Sequence, residues 1–383
     1  MTCGRRILSF MKSIRWLFLL LAFLIMIGAA LPAFAATPSI GASGAVLMDA
    51  KTKRVLFSQN AHAKLPMAST TKIMTTLLAL ENCALDTVVT VPKEAYAMEG
   101  SSMYLNNGEK IKIEDLLYGL MLSSGNDAAV TLAIHIGGSV EGFAQLMNNR
   151  ASELGCTNTN FVTPNGLHDD AHYTSAYDLA LIASTAMQNP DFRKIVSAKY
   201  WKTTSGDVTR TLKNKNKILW QYEGGNGIKT GFTKASGRCL AFSAERDGNT
   251  TVGIVLNCPN MWNDAKAMLD YGFREYTWRP FAKAGDPIAT LAVEKGMKNS
   301  LEIRAKDDIL IPLRNDEQES AVTLKVVSPR SIASPVYAGQ AVGMLEAWGD
   351  GKLLKAVPLI ASETILRKEF PYYLFEIARE WTA

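Results

Sequence analysis

The pattern of apolar and polar positions predicts a layered domain with strands at both ends and helices between them. Residues 40–60 alternate around turn-forming residues, which indicates an antiparallel strand pair. Alternation returns in three short strands between residues 228 and 256. Helical spacing of apolar residues occurs between these two groups and once after them, at residues 69–80, 114–136 (in two pieces), 174–187 and 262–273. This order is typical of an α/β or α+β layered fold, which we assign to residues 37–278.

The composition changes near residue 280, where a second domain is predicted. Residues 282–365 hold short alternating runs, and Gly349-Asp350-Gly351 closes a predicted hairpin. These features predict a small all-β domain.

The last residues, 366–383, have the pattern of an amphipathic helix. Its apolar stripe consists of Phe370, Leu374, Ile377 and Trp381. The tail is therefore a candidate anchor at a membrane surface. The alternative is that the stripe packs on the β domain of the same chain. The tail carries three cations and three acids, so attraction to anionic lipid would be negligible and anchoring would depend on the aromatic side chains.

The net charge of +5 has a local origin at the start of the chain. The 383 residues include 41 Lys and Arg against 36 Asp and Glu, and the first fifteen hold four cations and no acid: Arg5, Arg6, Lys12 and Arg15. An apolar run at residues 16–30 and the small residues Ala33 and Ala35 follow, which predicts a signal peptide over residues 1–35. An uncleaved membrane anchor is the alternative, and both place the body outside the cytoplasm. The remaining chain is nearly neutral, which disfavours nucleic-acid binding.

Neither the cysteines nor the histidines indicate a metal or a cofactor. Cys239 and Cys258 flank a predicted hairpin, and we expect buried free thiols there, with a disulfide as the alternative. His168 and His172 lie close together in a loop-like stretch but lack the glutamate of the His-Glu-x-x-His zinc motif. We therefore predict no metal site and no cofactor.

Three short motifs occur in order along the chain and together indicate a nucleophilic serine enzyme. They are Ser69-Thr70-Thr71-Lys72, Ser124-Gly125-Asn126 and Lys229-Thr230-Gly231. Each motif alone is weak, since Ser9-Phe10-Met11-Lys12 repeats the first by chance. The specific signal is their placement at a predicted helix start, an interhelical turn and an edge strand.

Serine chemistry explains the residue types of the first motif. A serine hydroxyl needs a nearby base, and Ser69 and Lys72 project from one helix face at i and i+3. Lys72 accepts a proton only if burial and a second cation, Lys229, lower its pKa. The helix start favours developing negative charge at Ser69. The backbone N–H groups of Ser69 and Phe232 are the natural donors to an oxyanion.

The other motif positions suit substrate binding and proton transfer. The Ser124 hydroxyl can relay a proton between the lysine and the leaving amine, and Asn126 can bind a substrate backbone amide. Lys229 and Thr230 suit a terminal carboxylate. Gly231 lets another strand approach the edge strand closely.

With Gly100-Ser101-Ser102-Met103, Pro164-Asn165-Gly166-Leu167 and Tyr177-Asp178-Leu179-Ala180, these motifs resemble the serine-type D-Ala-D-Ala carboxypeptidases, the low-molecular-mass penicillin-binding proteins. The resemblance covers nearly all of the mature chain. It implies a penicillin-recognising, transpeptidase-like domain, then a β-rich domain and often an amphipathic anchor. The implied substrate is the peptidoglycan stem pentapeptide, and the implied covalent inhibitors are β-lactams.

Carried over by motif position, the resemblance assigns the acylated serine to Ser69, the proton acceptor to Lys72, a second catalytic serine to Ser124 and substrate binding to Lys229. The sequence departs from some members at Phe232, where they carry histidine. A backbone role of this residue survives that change.

Two alternatives share part of this chemistry. A serine β-lactamase needs a base for rapid deacylation, and neither Glu141 nor Glu153 lies in a recognisable pattern for it. A catalytically silent wall-binding protein would not need Lys72. The motifs do not distinguish carboxypeptidation from endopeptidation or transpeptidation, because all three pass through one acyl-enzyme.

Overall fold

The computed structural model describes residues 37–381. The predicted signal peptide, residues 1–35, lies outside the described residues. Within residues 37–381 no helix has the length and apolar character needed to cross a bilayer.

The predicted elements occur in the predicted order, and the structure adds further strands and helices within residues 88–112, 140–153 and 190–221. The strands are β1 Gly44–Asp49, β2 Val55–Gln59, β3 Val88–Thr90, β4 Lys110–Lys112, β5 Tyr200–Ser205, β6 Val208–Lys213, β7 Gly225–Thr233, β8 Gly237–Arg246, β9 Asn249–Leu256, β10 Tyr276–Ala282, β11 Pro287–Glu294, β12 Ser300–Ala305, β13 Ile309–Arg314, β14 Val322–Val327, β15 Ser331–Ala333, β16 Ala341–Gly349 and β17 Lys352–Ala361. The α-helices are α1 Lys72–Asn82, α2 Ile113–Tyr118, α3 Asn126–Gly137, α4 Val140–Glu153, α5 Ala176–Ala186, α6 Pro190–Ser197, α7 Ile218–Gln221, α8 Met261–Glu275 and α9 Phe370–Trp381. Shorter helical turns lie at Ala68–Thr71, Gly119–Ser123 and Glu319–Ala321.

A five-stranded antiparallel sheet in the order β2-β1-β9-β8-β7 forms the middle layer of the first domain. Strand β1 is buried on both faces, because Val46 and Met48 join the core of the helical block while Ala45 and Leu47 face the core that includes Leu269 of α8. The sheet therefore has helices on both sides. This is the layered α/β architecture that the sequence predicts, and β7 forms one edge of the sheet.

The second part of the chain is all-β. Its main sheet has the order β14-β16-β17-β12-β11-β15, and β10 pairs separately with β13. Residues such as Leu301, Ile303 and Leu359 form a core separate from that of the first domain. The predicted hairpin at residues 349–351 joins β16 to β17.

Polar contacts join the two domains. Arg54, just before β2, donates through Nη1 to the carbonyl of Pro312 at 2.7 Å, and its Nη2 contacts both carboxylate oxygens of Glu317 at 2.6 and 2.7 Å. The indole of Trp278 donates to Asp49 at 2.9 Å. The β domain is thus held against the β1–β2 strand pair of the first domain.

The exposure of side chains bears on two alternatives from the sequence, the state of two cysteines and the location of the apolar stripe of α9. Cys239 and Cys258 are buried free thiols. The α9 stripe is more than half exposed, since Ile377 is 51 % and Trp381 87 % exposed, which disfavours its burial on the β domain.

Candidate active site

The predicted nucleophile, Ser69, lies in the 3-10 turn Ala68–Thr71 directly before α1. Strand β7 passes very close to this turn. A Cβ on Gly231 would lie 3.0 Å from the carbonyl oxygen of Met67 and 3.2 Å from the nitrogen of Ser69. Glycine at this position therefore lets the protein's own turn approach the edge strand, a contact that the sequence does not reveal.

Lys72 is fully buried and its amine has three oxygen partners. Nζ lies 3.0 Å from Oγ of Ser69, 2.7 Å from Oδ1 of Asn126 and 2.6 Å from the carbonyl oxygen of Asn165. The structure thus joins the first two motifs around one nitrogen atom.

Burial and neighbouring cations lower the pKa of the site lysines. The pKa of Lys72 is well below its ordinary value, first because of burial and then because of the charge of Lys229, while Asp127 opposes the shift. Burial and the charge of Lys215 lower the pKa of Lys229 to about 7. Lys72 is therefore ready to exist as a neutral amine, whereas Lys229, with a pKa of about 7, still carries charge in part of the molecules at neutral pH.

Ser124 follows the π-helical turn Gly119–Ser123 and has a left-handed φ of 66°. This sharp change of direction separates α2 from α3, as the sequence predicts for residues 123–126. Lys215 donates to the carbonyl of Ser123 at 2.9 Å. The serine therefore lies at a corner of the backbone, with its side chain on the cleft.

Asn126 is the first residue of α3, and its side chain faces the protein. Its Oδ1 accepts from Lys72, and its Nδ2 donates to the carbonyl of Glu99 at 2.5 Å. Both ends of the amide are engaged, which fixes its orientation. In this structure Asn126 contacts the lysine and the Glu99 loop.

An open cleft of about 450 Å³ lies over Ser69. Its lining residues are Ser69, Ser101, Ser124, Lys215, Thr230, Gly231, Phe232, Arg238, Met261 and Trp262. Five predicted site residues are among them. The other three (Lys72, Asn126 and Lys229) are buried behind this lining.

Several residues that contribute to the site carry no motif signal. Lys215 and Arg238 add positive charge to the cleft, and Trp262 adds an aromatic wall. Asn165 contributes only its backbone carbonyl to Lys72. Sequence reasoning missed these roles, although Asn165 lies within a stretch that carries the family resemblance.

The two histidines of the metal alternative lie in different environments. His168 is half-exposed and lies 3.4 Å from Asp170. His172 is buried, with Nε2 2.8 Å from Oγ1 of Thr71. The loop therefore directs His172 toward the serine motif.

Residues 32–260 match the family model described as D-alanyl-D-alanine carboxypeptidase, peptidase S11. The chain belongs to the S11 family of D-alanyl-D-alanine carboxypeptidases. Residues 276–367 match the model for the C-terminal domain of penicillin-binding protein 5. The family therefore accounts for both domains.

Individual S11 relatives are similar over most of this chain or over its first domain. D-alanyl-D-alanine carboxypeptidase DacF of Bacillus subtilis (strain 168) is 32 % identical over 350 residues, which cover 89 % of this chain and 90 % of the relative. The D-alanyl-D-alanine carboxypeptidase of Streptomyces sp. (strain K15) is 39 % identical over 267 residues, covering 64 % of this chain and 91 % of that protein. A crystal structure of penicillin binding protein 5 from Haemophilus influenzae has a TM-score of 0.68 at 30 % identity, over 87 % of this chain and 100 % of that one.

Membership confirms the predicted family, the predicted fold class and the predicted enzyme type. The chain is a serine hydrolase of the D-alanyl-D-alanine carboxypeptidase type. The comparisons favour this type over the two alternatives, a serine β-lactamase and a silent wall-binding protein.

Proposed function

We propose that Ser69 attacks the penultimate D-alanine carbonyl of a peptidoglycan stem pentapeptide, releases the terminal D-alanine and forms an acyl-enzyme that water hydrolyses. Penicillin would acylate the same serine. The observation that carries this proposal is the position of Lys72 Nζ, 3.0 Å from Oγ of Ser69.

The hydrogen-bonding groups of a neutral Lys72 amine match its three oxygen partners and leave the amine able to act as a base. A neutral amine has two N–H donors and one lone pair. Asn126 Oδ1 and the Asn165 carbonyl are acceptors only, so they take both donors. The lone pair then faces the Ser69 hydroxyl and accepts its proton as Oγ attacks. The lowered pKa of Lys72 makes this neutral form available.

The remaining steps use groups around the same cleft. The N–H groups of Ser69 and Phe232 bind the oxyanion of the tetrahedral intermediate. Ser124 passes the proton from Lys72 to the nitrogen of the departing D-alanine, and the C–N bond breaks. Lys229 and Thr230 bind the terminal carboxylate, which suits a cleft that also carries the positive charge of Lys215 and Arg238.

Intact-mass spectrometry after penicillin treatment tests the nucleophile. We expect one covalent penicilloyl adduct on the wild-type protein and none on Ser69→Ala. An adduct that persists in Ser69→Ala, or no adduct on the wild type, would overturn the assignment.

A Lys72→Ala variant tests the base separately from binding. Acylation should be lost because no other group accepts the serine proton, whereas non-covalent binding should remain. Unchanged acylation kinetics would remove Lys72 from this role.

A product assay tests the preferred reaction. We expect release of free D-alanine from pentapeptide and slow turnover of penicillin. Rapid penicillin hydrolysis without D-alanine release would instead indicate a β-lactamase. Cleavage of cross-linked dimers in a parallel sample would indicate endopeptidase activity.

We further propose that the enzyme is exported and rests on the outer face of the cytoplasmic membrane through residues 366–383. The support is the exposed apolar stripe of α9, which includes Phe370 and Leu374. Deleting these residues should release the processed protein from membranes. Equal membrane recovery with and without the tail would defeat this part of the proposal.

A further inference from the structure

His172 is a buried neutral histidine with a defined tautomer. Its Nδ1 accepts from the backbone N–H of Val162 at 2.9 Å and of Thr163 at 3.3 Å. Because Nδ1 faces two donors, the ring proton must be on Nε2. Burial lowers the pKa of His172 to about 4, although Asp169 opposes the shift, so the ring stays neutral at neutral pH.

The Nε2 proton determines the direction of the next hydrogen bond. Nε2 lies 2.8 Å from Oγ1 of Thr71 and therefore donates to it. Thr71 in turn donates its hydroxyl proton to the carbonyl oxygen of Ala68 at 2.8 Å. The result is a one-way chain of hydrogen bonds from the His172 loop to the carbonyl just before Ser69.

The Ala68 carbonyl and the Ser69 N–H belong to one peptide unit. A trans peptide is planar and its C=O and N–H point in opposite directions, so a bond that fixes the oxygen also fixes the N–H. Ala68 has a left-handed φ of 48°, which is uncommon for a residue with a Cβ. The backbone of Gly166 packs against the same oxygen, since a Cβ there would lie 1.9 Å from it.

The turn itself has an independent hydrogen bond. Thr70 donates its hydroxyl to the carbonyl of Met67 at 2.6 Å. Loss of the Thr71 hydroxyl would therefore loosen the Ala68–Ser69 peptide unit and leave the turn in place.

We propose that His172 and Thr71 are positioning residues that hold the Ser69 N–H in the direction needed to bind the oxyanion. This inference rests on the proposed acyl-enzyme at Ser69. Neither residue touches the substrate, and both act through the Ala68 carbonyl.

Infrared difference spectroscopy of the penicilloyl-enzyme, with a ¹³C-labelled penicillin carbonyl, tests the orientation directly. A carbonyl held by oxyanion donors absorbs at lower frequency than a free ester. In Thr71→Val we expect the band to move to higher frequency, and Thr71→Ser should restore the wild-type position. Acylation by Thr71→Val should slow by about 10- to 100-fold. This loss should not exceed the loss that follows removal of a complete oxyanion donor.

Thr131 supplies a matched control because it is another buried threonine, whose hydroxyl donates to the Asp127 carbonyl at 2.9 Å, away from the serine turn. Thr131→Val should leave the band and the acylation rate unchanged. Thr71→Ala removes the same hydroxyl as Thr71→Val with less steric demand, so it gives the readout if the valine variant does not fold.

The histidine is tested with His172→Ala and His172→Gln. The alanine variant should shift the band in the same direction as Thr71→Val. The glutamine variant, whose amide N–H can reach Thr71, should move it back toward the wild type.

The outcomes separate this inference from the proposed function. If the wild type forms no adduct, the proposed function fails. If adducts form and the band is the same in wild type, Thr71→Val and Thr71→Ala, the positioning role of Thr71 is refuted. If the carbonyl band of His172→Ala has the same frequency as that of the wild type, the positioning role of His172 is refuted.

Discussion

Replacing Gly231 by alanine tests how closely strand β7 has to approach the serine turn. The added Cβ would lie 3.0 Å from the Met67 carbonyl oxygen and 3.2 Å from both Ala68 Cβ and the Ser69 nitrogen, whereas ordinary contacts begin near 3.4 Å. The strand and the turn must therefore separate by about 0.2–0.4 Å. Misplacement by 1 Å costs on the order of 100-fold in rate. If the activation barrier rises in proportion to the displacement, a shift of about 0.2–0.4 Å lowers the rate about three- to sixfold.

The assay is the second-order rate of acylation by a fluorescent penicillin, with thermal unfolding measured on the same samples. Gly41→Ala is the matched control, because its new Cβ would meet only a side-chain oxygen of Asp264 at 3.5 Å. We expect Gly231→Ala to lose rate and Gly41→Ala to keep it. Equal rates for Gly231→Ala and the wild type, or equal losses in both variants, would refute the reasoning.

Further outcomes follow from charges and hydrogen bonds in the fold. Acylation should rise with pH through the lowered pKa of Lys72, because only the neutral amine accepts the serine proton, and a pH-independent rate would contradict this. Lys229→Met should raise the melting temperature at neutral pH, because folding brings the pKa of Lys229 to about 7 from ~10.4 in the unfolded chain. Lys229 destabilises the folded protein fully below about pH 7, and this destabilisation falls as the pH rises toward 10. Calorimetry should therefore show that the increase in melting temperature of Lys229→Met becomes smaller over that range. Asp127→Ala should speed hydrogen exchange in the 101–105 loop, whose amides donate to this carboxylate. Glu317→Gln should weaken the pair with Arg54 by about 1–2 kcal/mol, measured by urea unfolding.

Much of the site was predictable because each motif has a local backbone signal. Ser69 precedes a stretch of apolar residues with helical spacing, and Ser124-Gly125 interrupts a second stretch of this kind. Gly231 lies in a segment where apolar and polar residues alternate. These signals place the three motifs on a helix start, a turn and a strand, and known serine chemistry then requires them to meet. The layered fold was predictable for the same reason, since its strands and helices have clear periodicity.

The other contributors leave no such signal. Asn165 acts through a backbone carbonyl, which every residue type possesses. Lys215 is one of three alternating lysines at 213, 215 and 217, and neither this stretch nor that of Arg238 contains a recognisable motif. The sequence shows His172 only as a neighbour of His168, whereas its partner Thr71 is 101 residues away and its tautomer is fixed by the backbone N–H groups of Val162 and Thr163. Contacts between distant segments determine these roles, and one sequence without a fold does not contain them.

The order of the sheet has a consequence for how the enzyme matures. Strand β1, near the start of the described chain, lies between β2 and β9, and β9 ends at Leu256. Such distant pairing makes folding slow and postpones completion of the sheet until β9 is available. A fragment that ends before residue 249 lacks β9 and leaves β1 and β8 without the strand that joins them. Penicillin labelling at Ser69 should therefore mark only molecules in which the whole five-stranded sheet has formed, which makes it a measure of completed folding of this domain.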